Sequence, residues 1–181
     1  MLEKDLTPLA SRIELLLMDV DGVLTDGTLF YVPVAGGSVV EAKMFDVRDG
    51  AGLVLLRRAG IKTGIMSGRS SPALAQRAKD LQVDFVYQGL REKKLEAFEE
   101  VLEKTGIPAD RICYVGDDFQ DLPILKRVGF PIAVANASSE IVPRVAYVTR
   151  APGGRGAIRE VVELILKAQG KWDKLMRKMG S

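Results

Sequence analysis

Short apolar runs alternate along the chain with stretches whose apolar residues recur every three or four positions. "IELLLMDV", "IKTGIM", "VDFVYQG", "RICYVG", "PIAVAN" and "AYVTR" read as strands. "AGLVLLRRAG", "SPALAQRAKDL", "REKKLEAFEEVLEKTG", "QDLPILKRVG", "SEIVPRV" and "GAIREVVELILKAQG" read as helices. In the third of these, Leu95, Phe98, Val101 and Leu102 share a face, and Gly106 and Pro108 stop the helix.

Strand–helix alternation of this kind predicts an α/β fold: a Rossmann-like, doubly wound parallel sheet with helices on both faces and right-handed connections. Ligands in such folds bind at the carboxyl ends of the strands, near the point where the strand order reverses. One segment breaks the rhythm. Residues 28–45, "TLFYVPVAGGSVVEAKMF", carry strand-rich runs around "AGG" and predict a projecting β-hairpin. Residues 1–181 then form one domain. The basic, amphipathic tail from about residue 168 reads as a solvated or subunit-contacting helix end.

Composition narrows the chemistry. The chain has 181 residues, enough for one domain with a real core, and a net charge of +2. That charge, with no basic stripe interleaved with aromatics, argues against nucleic acid as a partner. No apolar run is long enough to span a membrane, and the first residues lack the order of a signal peptide, so a cytoplasmic location is expected. The single cysteine, Cys113, sits in an apolar run and reads as a core residue. There is no histidine. Catalysis must therefore rely on carboxylates, Lys, Arg, hydroxyls or backbone.

Polar residues collect where the strands end. Asp19 and Asp21 end the first strand, and Ser67-Gly68-Arg69 ends "IKTGIM". Gly116-Asp117-Asp118 ends "RICYV", Asp121 follows, and Lys93 and Lys94 open a helix. Parallel strands would gather all of these on one rim. Crowded carboxylates repel one another unless a cation is present, and Mg²⁺ accepts oxygen ligands from few carboxylates, water and phosphate. Asp19 and Asp117 with Mg²⁺, Lys93 as a positive charge and Ser67 as a hydrogen-bonding group make a phosphate site. An aspartate can attack phosphorus, and a second one two residues on can serve the leaving alcohol and then water. An extended backbone between Asp19 and Asp21 would point the two side chains differently.

Other readings of these motifs fail. A calcium loop starting at Asp19 would place Val23, Leu24 and Phe30 at positions that need ligands or glycine. "GAGLVL" has Leu55 where a dinucleotide fingerprint needs its third glycine, and no P-loop pattern exists.

"DVDGVLTDG", "SGR", a lysine before a helix and "GDDFQD" resemble the four motifs of the haloacid dehalogenase superfamily of phosphatases. The short spacing from Asp19 to Ser67 leaves no room for a large cap domain. "FDVRDGAG", "YQG", "GDDFQDLP" and "GGRGAIREVVELILKAQGKW" further resemble the capless 3-deoxy-D-manno-octulosonate 8-phosphate phosphatase family. The resemblance implies a homotetramer whose hairpins pack together and whose neighbouring subunits help close each site. It also implies service in the lipopolysaccharide sugar pathway of Gram-negative bacteria.

Residue by residue, it implies that Asp19 is nucleophile and Mg²⁺ ligand. Asp21 would be acid/base, a ligand through its carbonyl and a substrate contact, and Asp117 the third ligand. Asp118 and Asp121 would orient water or Lys93. Ser67 and Lys93 would hold phosphate. Asp46, Val47, Arg48, Asp49 and Gly50, with Arg69 and Arg77, would contact the sugar acid. Arginine forks suit a substrate carrying a carboxylate beside its phosphate. "PGGRG", with Arg155, would form a flexible lid from a neighbouring subunit. Counting from Gly89 selects Lys93, whereas matching "LEAF" selects Lys94. Adjacent helical residues point about 100° apart, so only one can reach the site, and the count assigns Lys93. A nonulosonate 9-phosphate remains an alternative substrate, and a non-catalytic binding or assembly domain an alternative class.

Overall fold

The computed structural model describes residues 5–179. The first four residues of the predicted domain, and Gly180 and Ser181 of its tail, lie outside them. The strands are β1 (Leu15–Met18), β2 (Phe30–Pro33), β3 (Val39–Ala42), β4 (Lys62–Met66), β5 (Phe85–Tyr87), β6 (Ile112–Gly116), β7 (Phe130–Ala133) and β8 (Tyr147–Val148). The helices are α1 (Thr7–Ala10), α2 (Val47–Arg58), α3 (Pro72–Leu81), α4 (Lys94–Thr105), α5 (Leu122–Leu125), α6 (Ala157–Ala168) and α7 (Trp172–Met179).

Six strands form a parallel sheet in the order β5–β4–β1–β6–β7–β8. The chain runs outward from β1 through β4 to β5, then returns to β6 on the other side of β1. The reversal therefore lies between β1 and β6, which are paired Met18 to Val115. Every residue of these two strands is buried. Their alternating side chains feed two cores. Leu16 and Met18 pack with residues of α2, α3 and α6. Leu15 and Leu17 pack with residues of α4 and α5. This is the α/β layering that the apolar pattern predicts.

Strands β2 and β3 pair antiparallel, Phe30 opposite Ala42 and Pro33 opposite Val39, in a separate two-stranded sheet. Among the described residues only this hairpin and α2 lie between β1 and β4, so there is no cap domain. Leu29, Phe30, Tyr31, Val39 and Val40 are exposed on the hairpin. No helix among the described residues is long and apolar enough to cross a membrane.

Two predicted helices are much shorter than their patterns. "QDLPILKRVG" gives a single 3₁₀ turn, Phe119–Asp121, and then α5. "SEIVPRV" gives only a 3₁₀ turn, Val142–Arg144. Pro143 lacks the N–H that a continuing helix would donate. Near Gly129 a Cβ would lie 2.0 Å from the Asp110 carbonyl oxygen, so the chain must pass there as glycine to enter β7. Helix α2, by contrast, starts earlier than "AGLVLLRRAG", because the Asp46 carboxylate accepts the Arg48 N–H and caps it. The tail is not merely solvated. Trp172, Leu175 and Met176 of α7 pack on the core of their own chain, with Arg159 and Lys167 over the Trp172 ring at 5.4 and 5.2 Å.

Candidate active site

The reversal of strand order brings Asp19, just past β1, next to Asp117, just past β6. One carboxylate oxygen from each of Asp19, Asp117 and Asp121 lies within 4.8 Å of the others. Asp19 and Asp117 face a cavity of about 1210 Å³ whose wall includes Asp21, Gly68, Arg69, Arg91 and Phe119, and Asp121 is buried behind them. Period two in β1 turns Asp19 to the same side as Leu15 and Leu17, where α4 packs.

Helix α4 settles which lysine enters. Lys94 Nζ lies 2.7 Å from Asp19 Oδ2 and 2.8 Å from Asp121 Oδ1, with its side chain 4% exposed. Lys93 is 71% exposed and, among the described residues, pairs with Glu96 alone, at 3.9 Å. The assignment of Lys93 is therefore corrected to Lys94. The signal was in the sequence: Lys94, Phe98 and Val101 follow the i, i+4, i+7 spacing of the buried stripe, and Lys93 is one residue out of phase.

Asp121 is fully buried and fully engaged. Its Oδ1 accepts from Lys94 and, at 2.7 Å, from the Tyr114 hydroxyl, while its Oδ2 accepts the Asp117 N–H at 3.0 Å. It is paired with Lys94 rather than with Lys93. Asp118 lines the cavity and its Oδ1 accepts the Phe119 N–H at 2.7 Å.

The electrostatics of the cluster favour a cation. Burial, then the Asp121 charge, pushes Asp19 up to about 6, with Lys94 pulling the other way. Burial, then the Asp19 and Asp121 charges, pushes Asp117 up to about 8. Burial opposes the Lys94 charge, but Asp121 and Asp19 outweigh it and hold the ammonium above its ordinary range. Three carboxylates and one ammonium leave an excess of negative charge. Asp117 Oδ1 is buried with no hydrogen-bond partner among the described residues. Asp117 Oδ1 is thus the open carboxylate oxygen of the cluster; Asp121 has committed both oxygens, and Asp19, whose Oδ1 accepts the Val20 N–H at 2.7 Å and whose Oδ2 pairs with Lys94, would share an oxygen with a cation. Gly22, at φ +96°, permits this approach: a Cβ there would lie 2.0 Å from Asp117 Oδ2.

Asp21 does not sit on an extended segment. Strand β1 ends at Met18, and the Val20 carbonyl accepts the N–H groups of Val23, Leu24 and Thr25 in a tight turn. Sequence reasoning missed the partner of Asp21. Lys43, just past β3, is ion-paired with Asp21 Oδ1 and lies 3.1 Å from Glu41 Oε1. Glu41 also binds Arg69, and Arg69 Nη2 donates to the Tyr31 hydroxyl at 3.2 Å. A signal existed here too, since Glu41 and Lys43 share a face at period two.

A haloacid dehalogenase-like hydrolase family model matches residues 31–129. The 3-deoxy-D-manno-octulosonate 8-phosphate phosphatase KdsC of Escherichia coli K12 is 43% identical over 169 residues, spanning 93% of this chain and 87% of that protein. The chain belongs to this phosphatase family. Among solved structures, the family's enzyme from Yersinia pestis superposes with a TM-score of 0.88 at 40% identity, covering 94% of this chain and 89% of that one. The enzyme from Moraxella catarrhalis, solved with magnesium ion, phosphate ion and KDO, superposes with a TM-score of 0.90 at 39% identity, covering 98% and 99%.

Several residues that the resemblance to this phosphatase family assigned to substrate lie elsewhere within one chain. Ser67 is fully buried, its Oγ accepting the Arg69 N–H at 3.1 Å, and its neighbour Gly68 lines the cavity. None of Asp46, Val47, Arg48, Asp49, Gly50 or Arg77 is in the cavity wall. Asp46 caps α2 and pairs with Arg48, and Val47 is exposed. Buried Asp49 turns to the start of α6, accepting the Arg159 N–H at 2.7 Å and the Gly156 N–H at 3.3 Å. Gly50 leaves room for Arg77, whose Nη2 would lie 2.3 Å from a Cβ there and whose guanidinium covers the Phe45 ring at 5.8 Å. Within its own chain "PGGRG" straps the turn after β1: Gly154 N–H donates to the Val23 carbonyl at 2.8 Å, and a Cβ on Gly153 would lie 1.7 Å from the Gly22 carbonyl oxygen.

Proposed function

We propose that this chain is a Mg²⁺-dependent phosphatase that hydrolyses 3-deoxy-D-manno-octulosonate 8-phosphate to the free sugar acid and inorganic phosphate, in lipopolysaccharide precursor biosynthesis. The carrying observation is the convergence of Asp19 and Asp117 across the strand-order reversal, with the unpartnered Asp117 Oδ1 beside them and Lys94 on Asp19. The family's substrate supports the choice of sugar acid phosphate.

Asp19, Asp117 and the Asp21 carbonyl would hold the metal, which neutralises phosphate charge when bound. Asp19 attacks phosphorus as the bond to the sugar oxygen breaks, and Asp21 gives that oxygen its proton. Asp21 then takes a proton from the water that attacks the aspartyl-phosphate, returning Asp19 and releasing phosphate. Lys94, fixed by Asp121, holds Asp19 and a phosphoryl oxygen in line. The loop that starts at Gly68, braced from behind by the Ser67 hydroxyl, would hold the other oxygens. The exposed hairpin residues, with Val47 and Arg48 at the start of α2, suit a homotetramer in which a second copy completes the sugar-binding side. The enzyme would act in the cytoplasm.

The test is phosphate release from a panel of sugar phosphates, with Mg²⁺ and after chelation. Preference for 3-deoxy-D-manno-octulosonate 8-phosphate, abolished by chelator and restored by Mg²⁺, is expected. Preference for a nonulosonate 9-phosphate would move the substrate and keep the mechanism. Folded protein inactive on every member would turn the reading toward a binding or assembly domain.

A further inference from the structure

Lys43 lies outside the cavity wall and belongs to none of the four motifs at the strand ends, yet its side chain is only 3% exposed. A buried ammonium needs compensating charge. It has two carboxylates, Asp21 from the catalytic turn and Glu41 from its own strand. Glu41 also binds Arg69 from the loop after β4, and Arg69 reaches Tyr31. Tyr31 and Glu41 are themselves cross-strand neighbours. Charges alternate along this chain, acid, base, acid, base, from Asp21 to Arg69.

The hairpin has little else to fix it. All four residues of β2 are exposed, and β3 is half-buried only at Glu41 and Ala42. Its placement on the body rests on polar contacts with two cavity residues, Asp21 and Arg69. The reverse also holds. The Asp21 side chain has one ion-pair partner among the described residues, and that partner comes from the hairpin.

From this geometry we infer that Lys43 is a positioning residue, which grips Asp21 by its Oδ1, leaves Oδ2 to carry the proton toward the leaving oxygen, and makes that alignment depend on a seated hairpin. The inference rests on the phosphatase reading, in which Asp21 supplies the leaving-group proton. Lys43 touches neither the phosphoryl group nor the sugar in this scheme.

The test compares two leaving groups. A sugar alkoxide needs a proton as it departs, whereas the p-nitrophenolate of p-nitrophenyl phosphate does not. Because kcat/KM reports the steps through departure of the alcohol, it isolates this proton from later attack by water. Lys43→Met should lower kcat/KM for 3-deoxy-D-manno-octulosonate 8-phosphate by about 10²-fold, the usual range for a mispositioned acid. For p-nitrophenyl phosphate it should fall by only a few-fold, with KM for both nearly unchanged. Lys43→Arg, which keeps the charge, should recover most of the loss. An equal fall on both substrates, or no fall on either, overturns the positioning role and leaves the phosphatase reading intact. Wild-type protein that cleaves neither substrate overturns the phosphatase reading itself. If Lys43→Met fails to fold, the Lys43→Arg and Glu41→Gln variants carry the same comparison. Glu41→Gln should show a smaller loss with the same dependence on leaving group, and an equal loss on both substrates overturns the role.

Discussion

The rim between β1 and β6 and the hairpin of β2 and β3 place charged groups in opposite ways. At the rim, Asp19, Asp121 and Lys94 are buried side chains at the edges of strands and a helix that have their own apolar packing. Moving any of them means moving a core. On the hairpin, charged Glu41 and adjacent Lys43 are the anchors themselves, and the apolar side chains point outward. The rim can therefore hold reacting groups to fractions of an ångström, as in-line phosphoryl transfer demands. The hairpin can shift with little loss of core packing, which suits substrate selection and contacts between copies.

The largest effect should come from Asp19→Asn, which removes the proposed nucleophile but keeps its shape. Phosphate release should fall at least about 10³-fold with the thermal midpoint retained. Substantial residual turnover would mean that the rim is not where the bond breaks.

The paired lysines sharpen the contrast next. Lys94→Met should cost about 10²- to 10³-fold in activity and, by stranding Asp121 and Asp19, about 3–5 kcal/mol of stability by denaturant melt. Lys93→Met should change activity less than about twofold, since the residue is solvated. Equal losses would erase the phase argument for α4.

Metal and pH should separate the regions as well. Asp117 at about 8 and Asp19 at about 6 lie above their unfolded values, so the folded chain binds more protons than the unfolded one across roughly pH 4 to 8. Without metal, stability should therefore fall as pH rises through that window. A divalent cation competes with those protons, so Mg²⁺ should raise the melting temperature more at pH 8 than at pH 5. A metal-free melting temperature that rises over this range would contradict the crowded-carboxylate picture.

Asp49→Ala should cost about 1–2 kcal/mol, the usual value of a helix cap, with KM nearly unchanged. A large KM effect would return Asp49 to the substrate. Smallest for the single chain is Val39→Glu on the outer hairpin, within about 0.5 kcal/mol on monomer stability. In analytical ultracentrifugation it should nevertheless dissociate the proposed tetramer, and a wild-type monomer would remove that proposal.

Much of the fold was legible because periodicity is local. The apolar runs and amphipathic stretches gave the parallel sheet, its two helical layers and the hairpin without reference to distant residues. The carboxylates were legible because a parallel α/β sheet puts its strand ends on one rim, so Asp19 and Asp117 had to share that rim; the pairing of β1 with β6 then set them side by side. The absence of histidine had already confined the chemistry to such groups.

What only the tertiary structure decided is which side chain meets which. The phase of α4, set by burying Phe98 and Val101, already favoured Lys94 over Lys93, but its meeting with Asp121, 27 positions on, came only with the assembled fold. Asp49 looked like part of a binding loop, but it caps a helix 110 positions further along the chain. Lys43 found Asp21 across 22 positions by the folding back of a hairpin. Local sequence specifies the direction and period of each element. Partners that distant depend on how the elements pack, because a buried charge takes whichever opposite charge the assembled fold brings within reach.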